Sequence, residues 1–374
     1  MRSRIIALAM VASATLSCQE SLPPGVGAVI WSVPGKSAGT PAFDDVRAYF
    51  LDRRHELVAL DKRTGALRWR SPTGETVGVT EGQNVVIAGS LVVAGDVDVH
   101  AFDRATGARR WRFRAFDGFL PGLFHLATDG ERIYAGSPSG HVHAIAPSGN
   151  AIWTRHLEPG SAISAYSPVH HEGRLYVCLN RWSHITTGGI VALDALTGAE
   201  AWRREFPAKP PNHEAGCMSQ VAVAGRVVVG ATRDGHLYAF DRTSGESLWS
   251  APQLTGVPEG IHGNPYMDWR PLAASAGVVV AGSTTGWVVG LDLEAGTELW
   301  RRNPQRGSIF HPIAADNRSA YLVDGGLGLI AMDLATGTIL WARAGEGTLH
   351  TARPVVDGDR IFVGGPDHFS ALRR

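Results

Sequence analysis

Three stretches of this chain gather the side chains that bind or react. Trp182 and His184 lie close together, His213 stands beside Glu214, and His262, Tyr266, Asp268, Trp269 and Arg270 follow one another closely. Cationic and aromatic groups mixed in this way suit an anionic or aromatic ligand, because guanidinium and imidazolium pair with carboxylate or phosphate while rings stack. The same residue types anchor protein interfaces, where Trp, Tyr and Arg carry much of the energy. A solvated loop face with scattered polar groups is the plainer alternative. Arg270, His311 and Arg353 share a further context: each directly precedes a proline, as do Thr40 and Ser167, and His125 falls near the equivalent place in another unit.

Dedicated catalytic signatures are missing. The sequence has no Gly-rich phosphate loop, no His-Glu-x-x-His pair and no Gly-x-Ser-x-Gly elbow. His141 and His143 share a strand face, as metal ligands do. His143, however, takes a repeat position filled by Tyr238, Val289 and Ile330 elsewhere, and His100 does the same. A core histidine in an aromatic slot is the reading preferred. Cys178 and Cys217 match no zinc or Cys-x-x-Cys pattern, so they either pair in an oxidising compartment or stay buried thiols. With 35 basic and 35 acidic residues the formal charge is zero, and no global field points to nucleic acid.

The elements that must position these residues form a repeat. Ala, one residue, Asp, three residues, Gly, three residues and Trp recur at 59–69, 101–111, 192–202, 239–249 and 331–341. A copy ending at Trp300 has Gly290 in the alanine place, and one ending at Trp153 is shortened around Pro147-Ser148-Gly149. Such a period, roughly 40–50 residues, means a repeat architecture. In the clearest unit Val227-Val228-Val229-Gly230 reads as a strand, 233–235 as a tight turn and 236–241 as an alternating strand. Thr243-Ser244-Gly245 then turns the chain into another strand that ends at Trp249. Asp opens such a turn by bonding its own backbone, and Gly takes the left-handed position. One further strand before these three makes a four-stranded propeller blade.

Seven tryptophans end a phrase: Trp69, Trp111, Trp153, Trp202, Trp249, Trp300 and Trp341. Trp31 follows the apolar Ala28-Val29-Ile30 without a phrase of its own. The missing strand lies at the other end of the chain, where His368-Phe369-Ser370-Ala371-Leu372 reads like the strand before a tryptophan. The expected fold is all-β, an eight-bladed β-propeller of four-stranded antiparallel blades. Its N-terminal strand completes the C-terminal blade, so no open edge remains. All eight tryptophans are expected to dock blade on blade. Prolines 41, 168, 271, 312 and 354 open first strands, where a missing N–H is tolerated on the edge facing the channel.

Tryptophan spacing is 38–42 residues early in the chain but 47–51 between Trp153 and Trp300. The extra residues sit between the second and third strands of blade 4, around 181–186, and in blade-to-blade connections at 206–216 and 251–269. Both kinds of connection open on one face, and insertions confined to one face mark a binding face. The stretches described at the outset, with His311 and Arg353 at the channel mouth, therefore form an expected His/Arg/Trp-lined funnel. Its occupant would be a small anionic or aromatic ligand, or a partner's loop.

The first residues read as a targeting segment: Arg2 and Arg4, an uncharged apolar run over 5–16, then Ser17-Cys18. The run is too short to span a bilayer, which takes about 20 apolar residues. A small residue directly before a cysteine resembles the bacterial lipoprotein signal, with Thr15 standing where leucine is usual. By that resemblance 1–17 is removed, Cys18 is the lipidated N-terminus, 18–27 is a linker and 28–374 a single propeller domain. An ordinary cleaved signal with an incidental cysteine is the alternative. Both export the chain, and acylation at Cys18 would anchor it in the cell envelope. Gln19, rather than Asp, after the cysteine fits outer-membrane sorting by the same resemblance.

The repeated phrase resembles the tryptophan-docking repeat of the pyrroloquinoline-quinone (PQQ)-like β-propellers, from about residue 28 to the end of the chain. That family holds quinoprotein dehydrogenases and cofactor-free scaffolds, so the resemblance implies a fold more sharply than an activity. Its dehydrogenases set a disulfide between adjacent cysteines and a tryptophan against the quinone, and hold Ca²⁺ with Glu and Asn beside an Asp base. Here Cys178 and Cys217 are far apart in sequence and few carboxylates fall outside turns. PQQ and Ca²⁺ are therefore not expected, and no catalytic residue is assigned. Size, blade count and lipidation instead resemble the BamB family of outer-membrane-protein assembly scaffolds. The implied function is a non-enzymatic envelope lipoprotein with a protein partner. A ligand-sensing propeller and a degenerate quinoprotein are the alternatives.

Overall fold

The computed structural model describes residues 25–35, 39–74, 83–114, 125–137, 139–158, 163–181, 188–207, 216–217, 220–232, 236–251, 269–283, 285–304, 309, 312–324, 328–344, 353–364 and 367–374. Eight successive sheets form the blades of a propeller. Each meanders outward from the channel: blade 4 runs Ile163–His171, Arg174–Arg181, Gly188–Asp194 and Glu200–Glu205, every strand antiparallel to the last. Middle strands lie between neighbouring blades and are buried on both faces, which is why Val227–Ala231 is uninterruptedly apolar. Fourth strands such as Leu67–Pro72 face solvent and are half-buried or exposed. The ring closes as expected: Val29–Pro34 pairs with His368–Arg373, setting Trp31 opposite Ala371. The alanine that Trp31's own stretch lacks comes from the far end of the chain.

The geometry explains each letter of the phrase. The alanine faces the tryptophan across third and fourth strands, as in Ala59 with Trp69 and Ala239 with Trp249, and the register slips just past that pair. Such a bulge re-aims a side chain. Here the indole turns onto the next blade, and its N–H donates to a carbonyl there: Trp31 to Lys62 at 3.0 Å, Trp153 to Ala195 at 3.2 Å, Trp300 to Leu334 at 2.9 Å. The phrase's Asp caps the turn that receives it. Asp61 Oδ1 accepts from the Arg63 and Thr64 backbone N–H groups and from the Thr64 hydroxyl, at 3.0, 2.8 and 2.9 Å. The Gly is required twice over. Gly107 has φ +75°, and a Cβ there would lie 2.7 Å from the Trp69 ring. Gly290 departs from alanine for a similar reason, since a Cβ would run into the Trp300 indole.

The phrase leaves one docking contact unannounced. Tyr49, Tyr134, Tyr176 and Tyr321 pair with the alanine from the second strand. Their rings lie 5.8, 6.2, 6.0 and 6.3 Å from the tryptophan of the same blade. Burying each such ring is worth roughly 1.5–3 kcal/mol.

Candidate functional site

Register places one residue per blade at the channel mouth. The first-strand residues aligned with the alanine are Ala42, Val86, Ala127, Val169, Ala222, Ala273, Ala314 and Val355. Two residues before each stand Thr40, Asn84, His125, Ser167, Gln220, Pro271, Pro312 and Arg353. Several knit neighbouring blades together. The Asn84 amide donates to the Leu126 carbonyl at 2.6 Å and accepts from its N–H at 2.7 Å. Ser167 Oγ bonds His125 Nδ1 at 3.1 Å, and Gly39–Thr40 pairs in parallel with Gln83–Ala88.

The proline signal identifies Thr40, Ser167 and Arg353 at this ring but misses Asn84 and Gln220, which have no proline after them. In blades 6 and 7 the prolines themselves take the ring position. Arg270 lies one residue before it, in the stretch where the ladder slips between Trp269 and Leu272. His311 directly precedes Pro312 and is outside the described residues.

Arg353 reaches furthest. Its Nε donates to the Ile313 carbonyl of blade 7 at 2.9 Å, and its Nη1 to Gln220 Oε1 of blade 5 at 3.4 Å. To meet both, the side chain must reach across blades 6 and 7 at the mouth. Burial lowers its pKa from the ordinary guanidinium value. A part of its surface nevertheless stays accessible, as befits a group lining a channel.

Of the other expected face residues, Trp182, His184, His213, His262 and Tyr266 lie outside the described residues, as does Cys18. Trp269 and Arg270 are placed by their backbone at the start of Trp269–Ser275. Strand alternation puts the ends that flank the insertions, at Arg181, Gly188, Glu205, Ala251 and Trp269, on the same face as Arg353. Cys178 and Cys217 form a disulfide, both fully buried. It fastens the end of the blade 4–5 connection to the second strand of blade 4, and Cys217 N–H donates to the Leu179 carbonyl at 3.3 Å. Gly216 beside it is obligatory, since any Cβ would collide with the buried Asn180 amide.

Blades 1 and 2 share a buried polar network at this face. Asp96 accepts from Thr73 Oγ1 at 3.0 Å and pairs with His55 Nδ1 at 2.7 Å, while Arg109 Nη2 reaches the Thr73 carbonyl and His100 Nδ1, both at 2.6 Å. Burial first, then Arg109 and Arg112, press the His100 pKa down to about 3, so it is a neutral acceptor. His143 is also buried and packs edge-on against Phe113 at 5.4 Å. Among the described residues no three His, Cys, Asp or Glu are arranged to hold a metal ion.

These features define a tryptophan-docked PQQ-like propeller with one elaborated face. Residues 21–249 and 233–373 match the family model of the outer membrane protein assembly factor BamB, and the chain belongs to that family. It is 24% identical over 327 residues to the outer membrane protein assembly factor BamB of Yersinia pestis, covering 87% of this chain and 70% of that one. It is also 25% identical over 304 residues to the polyvinylalcohol dehydrogenase of Sphingopyxis sp. (strain 113P3), covering 61% of this chain but only 46% of the relative. The quinohemoprotein alcohol dehydrogenase of Comamonas testosteroni superposes with a TM-score of 0.72 at 16% identity, covering 92% of this chain and 76% of that one. That likeness is one of fold alone. The disulfide joins cysteines 39 apart in sequence, one on the second strand of blade 4 and the other in the blade 4–5 connection, and so is not the bond between adjacent cysteines that the dehydrogenase resemblance implies.

Proposed function

We propose that this chain is a non-enzymatic scaffold of the cell envelope, lipid-anchored at Cys18, that binds a protein partner through the face bearing the long connections. The observation that carries the reading is an asymmetry. Docking residues repeat in every blade, whereas the extra residues gather on blades 4–6 and leave from one face. A closed disc positions such loops at low entropic cost, because the scaffold is already rigid. Membership of the BamB family supports an envelope partner. The test is crosslinking and pull-down of the full-length chain from its native envelope, with Cys18→Ala as the unanchored control. Alanine at Trp182, Trp269 and Arg270 together is expected to abolish capture and leave the melting temperature nearly unchanged. Undiminished capture by that variant would overturn the assignment of the face. The dehydrogenase relative supports a second reading, which an absorbance change with PQQ plus Ca²⁺ would favour.

A further inference from the structure

Arg353 carries the only fixed charge among the eight ring residues at the channel mouth. We propose that the mouth binds a small carboxylate or phosphate anion on the free edge of this guanidinium. Five N–H groups are available on an arginine. Two are engaged, by the Ile313 carbonyl and by Gln220 Oε1. The remaining Nη1 and Nη2 hydrogens form the edge that grips two oxygens of one anion.

Among the described residues no ion pair joins Arg353, and the buried Asp324 at this end of blade 7 accepts from the Gly328 N–H at 2.8 Å. Both partners of Arg353 are neutral carbonyl oxygens. Carboxylates of the nearby first-to-second-strand turns lie at the opposite end of the channel wall and are committed there: Asp129 to Arg132 and Tyr134, Asp316 to Arg374. An isolated charge in a protein-walled site is costly unless a counter-charge joins it. The chain places glutamine at 220, where glutamate would have supplied that counter-charge internally. Gln220 thus orients one donor while leaving the charge for a ligand. Pro312 on the intervening rim is exposed, and His125, bonded to Ser167, stands on the same ring. The inference concerns the channel and does not depend on the scaffold reading.

Calorimetric titration of the purified full-length chain with inorganic phosphate and with citrate, at constant ionic strength with chloride as control, tests it. Saturable binding is expected, at least about tenfold weaker in Arg353→Met, in line with the loss of a charge-assisted pair. Arg353→Lys is expected to weaken binding too, because an ammonium cannot present two parallel donors. Gln220→Glu supplies the missing carboxylate from within, and is expected to raise the melting midpoint while blocking both probes. Two results would overturn the proposal. One is wild type and Arg353→Met behaving alike toward both probes. The other is a Gln220→Glu midpoint at or below wild type, which means the guanidinium is already neutralised.

Discussion

Gly107→Ala separates the two demands placed on the phrase's glycine. At φ +75° an alanine costs about 1–2 kcal/mol in backbone strain alone. Its Cβ would also lie 2.7 Å from two atoms of the Trp69 ring and 2.9 Å from Ser71 Oγ. Both groups must move, which endangers the bonds from Trp69 Nε1 to the Arg104 carbonyl and from Ser71 Oγ to the Gly107 carbonyl, at 3.3 and 2.6 Å. Each is worth about 1 kcal/mol, so the expected total is about 3–4 kcal/mol. Gly89→Ala is the control. It has φ +55° with nothing within 4 Å of the added Cβ, so only the strain applies. Equilibrium urea unfolding should therefore separate the two variants by about 2 kcal/mol at unchanged m-value. Adding Trp69→Ala to Gly107→Ala should remove the excess, as a double-mutant cycle reads it. Equal costs for the two glycines would refute the reasoning, because glycine would then serve the turn and not the docked indole.

Two further outcomes follow from the same contacts. Replacing Cys178 and Cys217 with serine opens a loop of sequence separation 39, and is expected to cost about 3–4 kcal/mol in urea unfolding. Free-thiol titration of the unreduced, unfolded wild type should find neither cysteine, and finding both would refute the pairing. His100 makes stability depend on pH. Its pKa falls from 6.5 unfolded to about 3 folded, so between those values the unfolded chain binds a proton that the folded chain does not. Its contribution is complete above about pH 6.5 and shrinks as the pH drops toward 3, by up to about 1.4 kcal/mol per unit. His100→Asn keeps an acceptor for Arg109 and should flatten urea-derived stability between about pH 6 and 4, while an unchanged slope would discount His100.

The fold was legible because it is written many times. Ala59, Asp61, Gly65 and Trp69 recur with one internal spacing, and each does a job fixed by backbone geometry, so every copy corrects the others. Even Trp31, stripped of its phrase, could be assigned once Ala371 was seen to hold the missing place. The second-strand tyrosines leave no repeat signal because valine holds the slot in blades 2, 5 and 6, and either side chain fills it adequately. The Cys178–Cys217 pairing depends on how blade 4 meets the start of blade 5, and spacing carries no trace of that approach. The channel mouth was harder still. Proline follows the ring residue in three blades, and in two others stands itself two residues before the residue aligned with the phrase's first position. Its eight residues, Thr40, Asn84, His125, Ser167, Gln220, Pro271, Pro312 and Arg353, follow no consensus that a repeat search could find. Physical necessity lies behind that difference. A symmetric ring offers every blade equally, and an asymmetric ligand or partner can be held in one pose only where the blades differ. Residues that break the repeat, Arg353 facing Gln220 and the long connections of blades 4–6, are therefore where the proposed binding is to be tested.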